Sequence, residues 1–261
     1  MSTARAADAV EHGTREGETV LLVHGNSVAG WSWAPQVALL PHRHLLTPDL
    51  PGFGGRHREP WPGLDGATDD LAAIVAERAV GGRAHVVGLS LGGMLGVRLA
   101  ARHPELVRSL LVSGAPLVGV GRGTAVAARS QVGLWDRRWY WRALATAMRL
   151  DADVRARFVD DGLRLGSRTG GRVLEDVLAP SLPSSLPYRG RLVAVAGERE
   201  PRDARRAFEA LRAIAPQLET WIAPGMHHQW SAEDPERFSA MVEAVADGAP
   251  WPPDQPTTPA D

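Results

Sequence analysis

The sequence contains no cysteine and no lysine, and each absence narrows the chemistry open to the chain. Without cysteine there are no disulfides, no thiolate metal ligands and no cysteine nucleophile. All 29 basic residues are therefore arginine, and 30 carboxylate residues bring the formal net charge to −1. A chain with so little net charge has no electrostatic basis for binding nucleic acid or an anionic membrane, so we predict neither as a partner.

Long apolar runs are missing as well. No segment approaches the roughly 20 consecutive apolar residues that span a bilayer, and residues 1–18 lack the apolar centre of a secretory signal. We therefore predict a soluble, cytoplasmic protein without stable membrane association, and we leave its oligomeric state open. The 261 residues, of which 44% are hydrophobic, suffice for one large domain with a sizeable core.

Short apolar runs alternate with segments of helical periodicity. This alternation is typical of βαβ units and predicts an α/β fold with a mostly parallel central sheet flanked by helices. Strands are predicted at residues 19–23, 44–47, 84–87, 109–113, 192–196 and 219–222. Helices are predicted around residues 71–79 and at 91–101, 203–213 and 235–246.

The alternation stops between residues 117 and 188, where no strand pattern occurs. A structureless loop of that length is improbable in a compact domain, so we predict a helical insertion there. It divides the core into residues 1–116 and 189–247. Residues 248–261 contain five prolines and few apolar side chains, which predicts a mobile tail.

The strongest catalytic signal is the segment Gly88-Leu89-Ser90-Leu91-Gly92, which follows a predicted strand and precedes a predicted helix. In that context the pattern predicts a nucleophile elbow, a sharp turn that exposes the serine hydroxyl at the sheet edge. Small residues two positions before and after Ser90 are needed because the turn brings backbone segments close together. We therefore predict Ser90 as a nucleophile.

Attack on a carbonyl carbon leaves negative charge on its oxygen, and backbone N–H groups aimed at that oxygen stabilise it. The N–H of Leu91, directly after Ser90, is one predicted donor. The second is predicted in the loop after His24 and Gly25, at Asn26. We expect the His24 side chain to bond to backbone and give it no catalytic role.

A serine hydroxyl is a weak nucleophile until a base removes its proton, and histidine suits that task near neutral pH. His227 and His228 follow the last predicted strand. Loops at the carboxyl ends of parallel strands are where such residues collect. Either histidine of this pair is a candidate base.

The chain resembles the α/β-hydrolase superfamily, in its branch with a serine nucleophile. The resemblance rests on His24 with Gly25, residues 49–54, residues 88–93 and the closing His228, in the family's order, and runs from about residue 19 to 246. Relatives close with glycine, any residue, glycine and the catalytic histidine. His227 takes the position of the second glycine, so the resemblance assigns the base to His228.

The resemblance also places an acid three residues after the glycine that ends the preceding strand, which is Glu200 here. Glutamate can hold the imidazole tautomer and stabilise the imidazolium as aspartate does, although its extra methylene requires a different loop. Asp203 is the alternative, and a Ser-His pair without a dedicated acid is the third. Asp49 matches a structural aspartate of the family's turn.

In the resembling family the insertion forms a cap over the active site. This implies that Trp135 and Trp139 lie above Ser90, with Trp31 and Trp33 below, as substrate-binding residues. Aromatic walls suit an apolar or aromatic acyl group. For any single tryptophan, packing between cap and core is the alternative.

The predicted reaction is hydrolysis of an ester, lactone or thioester of a moderately sized apolar small molecule, through an acyl-enzyme and without a metal or organic cofactor. A carbon–carbon bond hydrolase acting on a keto acid, an acyltransferase or a cofactor-free haloperoxidase-like enzyme would use the same triad. Arg137, Arg138 and Arg142 are candidates for clamping such an acid, with a solvated helix face as their alternative. The hypothesis from another class is a non-catalytic ligand-binding protein that retains the fold. Serine at the elbow argues against epoxide hydrolases and haloalkane dehalogenases, which carry aspartate there.

Overall fold

The computed structural model describes residues 9–148, 150–200 and 202–252, with backbone only for residues 202–204. The strands of the described residues form one sheet in the order β1-β3-β2-β4-β5-β6-β7, in which β1 runs antiparallel to β3 and every other neighbouring pair is parallel. The strands are β1 (Ala9–His12), β2 (Thr19–Val23), β3 (His44–Pro48), β4 (Ala84–Leu89), β5 (Val107–Ser113), β6 (Arg191–Gly197) and β7 (Leu218–Ala223). The prediction of a mostly parallel sheet flanked by helices is confirmed.

The sheet is covered on both faces, which is why all five residues of β2 are buried. Side chains alternate along a strand: Leu21 packs into the layer that contains α2 and α3, and Leu22 into the layer that contains α1 and α9. The helices are α1 (Ala34–Leu39), α2 (Gly63–Arg78), α3 (Leu91–Arg102), α4 (Arg122–Gln131), α5 (Arg138–Ala147), α6 (Ala152–Leu178), α7 (Arg202–Ile214), α8 (Trp230–Glu233) and α9 (Pro235–Ala246).

Strand β1 was not predicted. Its four residues, Ala9 to His12, pair with β3 alone, and Val10 is 55% exposed. An edge strand that is covered on one side only needs no continuous apolar run, so its sequence lacks the pattern by which the central strands are found.

The described residues of the insertion, 117–148 and 150–188, contain the three helices α4, α5 and α6 and no strand. Helix α6 is broken at Gly166, whose φ of 59° is left-handed. Next to the break, Ser167 donates its backbone N–H to Asp136 Oδ1 at 2.8 Å. The two halves of α6 are therefore separate helical segments, joined at a capped break.

The segment predicted as a tail is packed in its first residues. The ring of Trp251 lies 5.5 Å from that of Trp221 on β7, and Arg191 donates to the carbonyl of Ala249 at 2.6 Å. Residues 253–261 lie outside the described residues. Within the described part of the chain, no helix has the length and apolar character to cross a bilayer.

Two buried histidines lie near the amino ends of the strands. His44 Nδ1 pairs with Thr19 Oγ1 at 2.8 Å, and His85 lies between Ser109 Oγ and Glu18 Oε2, each at 2.8 Å. Burial lowers the pKa of both imidazoles below their ordinary value of 6.5. Both rings are therefore neutral in the folded protein at neutral pH.

This pKa lowering predicts a loss of stability in mild acid. Because the unfolded chain takes up protons near pH 6.5 and the folded chain only at lower pH, the stabilisation is complete above 6.5 and is lost as the pH falls through the folded-state values. Urea unfolding between about pH 7.5 and 5.5 should show this decrease. The variant with His44→Gln and His85→Gln should lose less free energy of unfolding over that interval. An equal loss of unfolding free energy in the wild type and the variant would show that His44 and His85 do not cause the decrease.

Candidate active site

Ser90 occupies a strained turn between β4 and α3. Its φ of 56° and ψ of −114° lie where residues with a Cβ are rarely found, and among the described non-glycine residues only Ser27 also has a positive φ. The Ser90 N–H donates to the carbonyl of Ser113 at the end of β5, at 2.7 Å. The geometry is that of a nucleophile elbow, with the serine at the carboxyl edge of the sheet.

The glycines on either side of Ser90 are required by close backbone approach. A Cβ on Gly88 would collide with the backbone of Gly92 and Gly93, and a Cβ on Gly92 would collide with the carbonyl of Val23. The elbow therefore packs directly against β2 and against its own helix.

The loop after β2 lies beside the elbow. A Cβ built on Gly25 would lie 3.5 Å from the Ser90 Cβ, so the loop that contains Asn26 borders the serine. His24 is fully buried, pairs through Nδ1 with the Gly25 carbonyl at 2.8 Å and accepts the N–H of Leu50 on Nε2 at 3.0 Å. Burial lowers the pKa of His24, so the ring is neutral and serves the backbone, as expected.

Asp49 fixes the turn after β3 to the same loop. Its Oδ1 accepts the N–H of Gly30 at 2.8 Å, and its Oδ2 accepts the N–H of Gly55 at 2.7 Å. The turn is held further by Arg56, which forms a buried ion pair with Asp70 on α2 at 2.6 Å. Asp49 therefore holds the turn in place through backbone contacts, which is the structural role expected from its match to the aspartate of the family's turn.

His228 and Glu200 form a hydrogen-bonded pair. The distance from His228 Nδ1 to Glu200 Oε2 is 2.8 Å, and Glu200 Oε1 accepts the N–H of Gly197 at 2.8 Å. The Glu200 side chain is 2% exposed and that of His228 is 43% exposed. The acid is thus shielded and anchored to the end of β6, while the imidazole it orients remains accessible.

The neighbouring acids and histidine have other partners. His227 pairs with Glu233 at 3.0 Å, and Glu198 accepts the N–H of Gly225 at 2.7 Å. Asp203 lies in α7, and its side chain is outside the described residues. The structure therefore pairs His228, rather than His227, with a buried carboxylate.

Gly114 connects this pair to the elbow. It follows Ser113, whose carbonyl binds Ser90, and has a φ of +60°. A Cβ there would lie 2.8 Å from the His228 ring and 2.9 Å from Glu200 Oε2. The His228–Glu200 pair therefore packs against the backbone of Gly114 at the end of β5, next to β4, the strand that leads into Ser90.

Trp230 was not predicted as part of the site. This fully buried indole, two residues after His228, donates its N–H to Ser113 Oγ at 3.0 Å and fixes the histidine loop to β5. The sequence offers no signal for this contact, because the two residues are 117 positions apart.

The structure corrects the substrate-wall prediction for two of the four tryptophans. Trp33 is 1% exposed and packs on Phe238 in the layer of α1 and α9. Trp135 packs inside the insertion against Trp141, where Gly170 leaves room for its ring. These two buried residues serve packing. Trp139 is 60% exposed, and its role as a substrate-binding residue stays a prediction.

Trp31 lies between the core and the insertion. Its indole N–H donates to Asp161 of α6 at 2.6 Å. A similar bond joins Trp61 of the core to Asp176, in the second half of α6, at 2.7 Å. Each half of α6 is therefore fastened to the core by one indole–carboxylate bond.

The described residues contain no group of three or more histidine or carboxylate side chains that could hold a metal ion. At this edge of the sheet the strained Ser90 and the His228–Glu200 pair both contact the end of β5, at Ser113 and Gly114 respectively.

Comparison with known proteins places the chain in a family. The sequence profile described as Alpha/beta hydrolase family matches residues 20–241. The chain belongs to the alpha/beta hydrolase family. Over 244 residues this hydrolase-family chain is 32% identical to an AB hydrolase superfamily protein of Gibberella zeae, covering 87% of the chain and 79% of the relative.

Two further similarities are more limited, the first in the length that it covers and the second in sequence identity. Over 115 residues the chain is 35% identical to a 2-hydroxy-6-oxo-2,4-heptadienoate hydrolase of Pseudomonas putida, which covers 42% of the chain and 41% of that relative. The solved structure of an enol-lactonase from Burkholderia xenovorans is similar with a TM-score of 0.75 and 20% identity, over 92% of this chain and 95% of that one. The structural likeness concerns the fold, which does not select a substrate.

The two bonds accepted by Asp49 predict a cost for Asp49→Asn. The amide can accept one of the two backbone N–H groups but turns its own NH₂ toward the other, which is left unsatisfied. The free energy of unfolding should fall by about 1–3 kcal/mol, measured by urea denaturation. Asp65→Asn, at a surface aspartate that is 65% exposed, is the control and should cost less than about 1 kcal/mol. Equal losses of unfolding free energy in the two variants would show that the two hydrogen bonds of Asp49 do not stabilise the fold.

Proposed function

We propose that this protein is a serine hydrolase that cleaves an ester, lactone or thioester through an acyl-enzyme. Ser90 is the nucleophile, His228 the general base and Glu200 the acid that orients it. The observation that carries the proposal is the buried Glu200 bonded to His228 at 2.8 Å, with both packed on Gly114 next to the strained serine.

Each residue has a distinct task in this reaction. Glu200 accepts the Nδ1–H of His228, which leaves Nε2 free to take the proton of the Ser90 hydroxyl as the oxygen attacks the carbonyl carbon. The imidazolium then protonates the leaving group. Water then enters, gives a proton to His228 and attacks the acyl-enzyme. His228 returns that proton to the Ser90 oxygen as the acyl–oxygen bond breaks and the carboxylic acid leaves.

The oxyanion is stabilised by backbone donors in this proposal. Leu91 begins α3, so its N–H belongs to the set at a helix amino end that has no partner within the helix. Asn26 lies in the loop that borders Ser90. Both positions favour charge that develops on the substrate oxygen, and the insertion acts as the cap that excludes water.

Carbon–carbon bond hydrolysis is the second candidate. It is supported by the partial similarity to the 2-hydroxy-6-oxo-2,4-heptadienoate hydrolase, which extends over 115 residues. The same serine and histidine would serve that reaction. A substrate series that contains both simple esters and dienoate keto acids separates the two.

Ester hydrolysis tests the nucleophile and the acid together. The wild type should hydrolyse p-nitrophenyl esters, Ser90→Ala should fall to the uncatalysed background, and Glu200→Gln should lower kcat by about 10²- to 10⁴-fold. Folding of each variant is checked by circular dichroism. A well-folded wild type no faster than Ser90→Ala on any ester would refute esterase activity, and turnover of the keto acids alone would establish the second candidate.

Gly114→Ala tests the packing of the acid–histidine pair. The added Cβ would meet both His228 and Glu200 at under 3 Å, so kcat should fall by about 10²-fold or more because misplacing a catalytic group by an ångström has that effect. Gly63→Ala is the matched control, with a positive φ of +78° and open space around the position. Both variants carry backbone strain, so an equal loss of kcat in the two would contradict the contact.

A further inference from the structure

Ser113, the last residue of β5, is hydrogen-bonded to two different parts of the candidate site. Its carbonyl accepts the Ser90 N–H at 2.7 Å, and its hydroxyl oxygen accepts the indole N–H of Trp230 at 3.0 Å. Trp230 comes two residues after His228. One buried residue therefore contacts both the turn that carries the serine and the segment that carries the base.

The Ser113 hydroxyl is a polar group in an apolar layer. The strand register places Ser113 between Leu89 of β4 and Val195 of β6. Side chains alternate along a strand, so Ser113 shares a face with Leu111, in the layer of α1 and α9. A buried hydroxyl or indole N–H destabilises the fold unless it is hydrogen-bonded, and both Ser113 and Trp230 are fully buried. Two apolar side chains of the same shape could fill this layer equally well, so packing by itself does not explain the bond.

The Trp230 ring is confined by neighbouring side chains. Its centroid lies 4.7 Å from that of Phe238 on α9 and 5.7 Å from that of Trp221 on β7. The next residue, Ser231, accepts a side-chain N–H of the fully buried Gln36 on α1 at 2.7 Å. The indole is therefore a rigid support, with its N–H directed toward β5.

The residues just before His228 are bonded to the loop that carries the acid. The Arg199 N–H donates to the carbonyl of Met226 at 2.9 Å, and the Gly225 N–H donates to the Glu198 carboxylate at 2.7 Å. These bonds hold the base beside its acid. The bond from the indole to β5 adds a connection to the strand that holds the serine turn.

We infer that Ser113 and Trp230 form a positioning pair that sets the distance between Ser90 and His228. A base must lie within hydrogen-bond reach of the proton that it removes, and a displacement of about 1 Å lowers a catalysed rate by about 10²-fold. Both side chains of the pair are buried and act through the segment that carries the base. The inference rests on the proposed hydrolysis at Ser90 and adds two residues that determine its rate.

Trp230→Phe removes the indole N–H and keeps an aromatic ring. For p-nitrophenyl butanoate it should lower kcat by about tenfold or more and change KM by less than about twofold, because the pair acts on the base and not on substrate binding. Trp33→Phe is the matched control. Trp33 is buried, packs on Phe238 as Trp230 does, and its indole N–H has no hydrogen-bond partner among the described residues. Because both changes remove the same volume, an equal loss of kcat in the two variants would overturn the inference.

Ser113→Ala removes the acceptor of the same bond and keeps the backbone carbonyl that binds Ser90. It should lower kcat as Trp230→Phe does, and the double variant should be no slower than the slower single variant, because both changes break one bond. Ser109→Ala is its control, since it removes a buried hydroxyl of β5 that is bonded to His85 and should leave kcat unchanged. Losses that multiply in the double variant would show that the two residues act separately, and would overturn the pair.

Hydrogen exchange distinguishes failure of the pair from failure of the reaction. Amides of residues 224–229 should exchange faster in Trp230→Phe and in Ser113→Ala than in the wild type, and Trp33→Phe should leave their exchange unchanged. Unchanged exchange in the first two variants overturns the pair. Ester turnover with unchanged kcat in these variants also overturns it and leaves the proposed reaction standing. No turnover of any ester by well-folded wild type refutes the reaction, whereas hydrogen exchange still decides whether the pair holds this segment.

Discussion

The candidate site depends on the backbone bond between Ser90 and Ser113. A serine at a φ of 56° is held in an unfavourable conformation, at a cost of about 1–3 kcal/mol, and persists only where its surroundings determine it. The parallel pairing of β4 with β5 holds Ser90 in this conformation, because it brings the Ser113 carbonyl to 2.7 Å from the Ser90 backbone nitrogen. The next residue, Gly114, supports the His228–Glu200 pair. One register between two strands thus positions both Ser90 and the backbone that contacts His228.

Around this point, buried polar side chains satisfy backbone groups of loops. His24 accepts the N–H of Leu50, Asp49 accepts two N–H groups and Glu200 accepts that of Gly197. A buried N–H without a partner costs about 1–3 kcal/mol, so these side chains hold irregular segments that no strand or helix could stabilise. Rigid loops are what a site at the carboxyl edge of a parallel sheet requires, because its functional residues lie on loops.

The aromatic residues of the insertion were expected to line a substrate pocket, and two of its large tryptophans are instead buried within the insertion. Trp135 and Trp141 pack inward against α6, because burying large aromatic surface is what stabilises three helices on top of a sheet. At the cleft beside the turn after β3, the insertion presents charged side chains, with Asp161 and Arg157 on α6 and Trp31 on the core side. Desolvation raises the pKa of Asp161, and its bond to the Trp31 indole fastens the insertion to the core. Aromatic content alone therefore does not describe the chemistry of the surface that an insertion presents.

The sequence alone was enough to predict the six strands β2 to β7, the elbow at Ser90 and the helical nature of residues 117–188, because these follow from local patterns of buried residues and glycines. It left β1 unpredicted, since this four-residue, partly exposed edge strand has no apolar run. It also left open which acid and which histidine belong together. Tertiary structure paired His228 with Glu200, paired His227 with Glu233 and buried Trp33 and Trp135. The His228–Glu200 contact joins residues 28 positions apart, on loops after two different strands, and only the folded arrangement of the sheet ends brings their side chains within bonding distance.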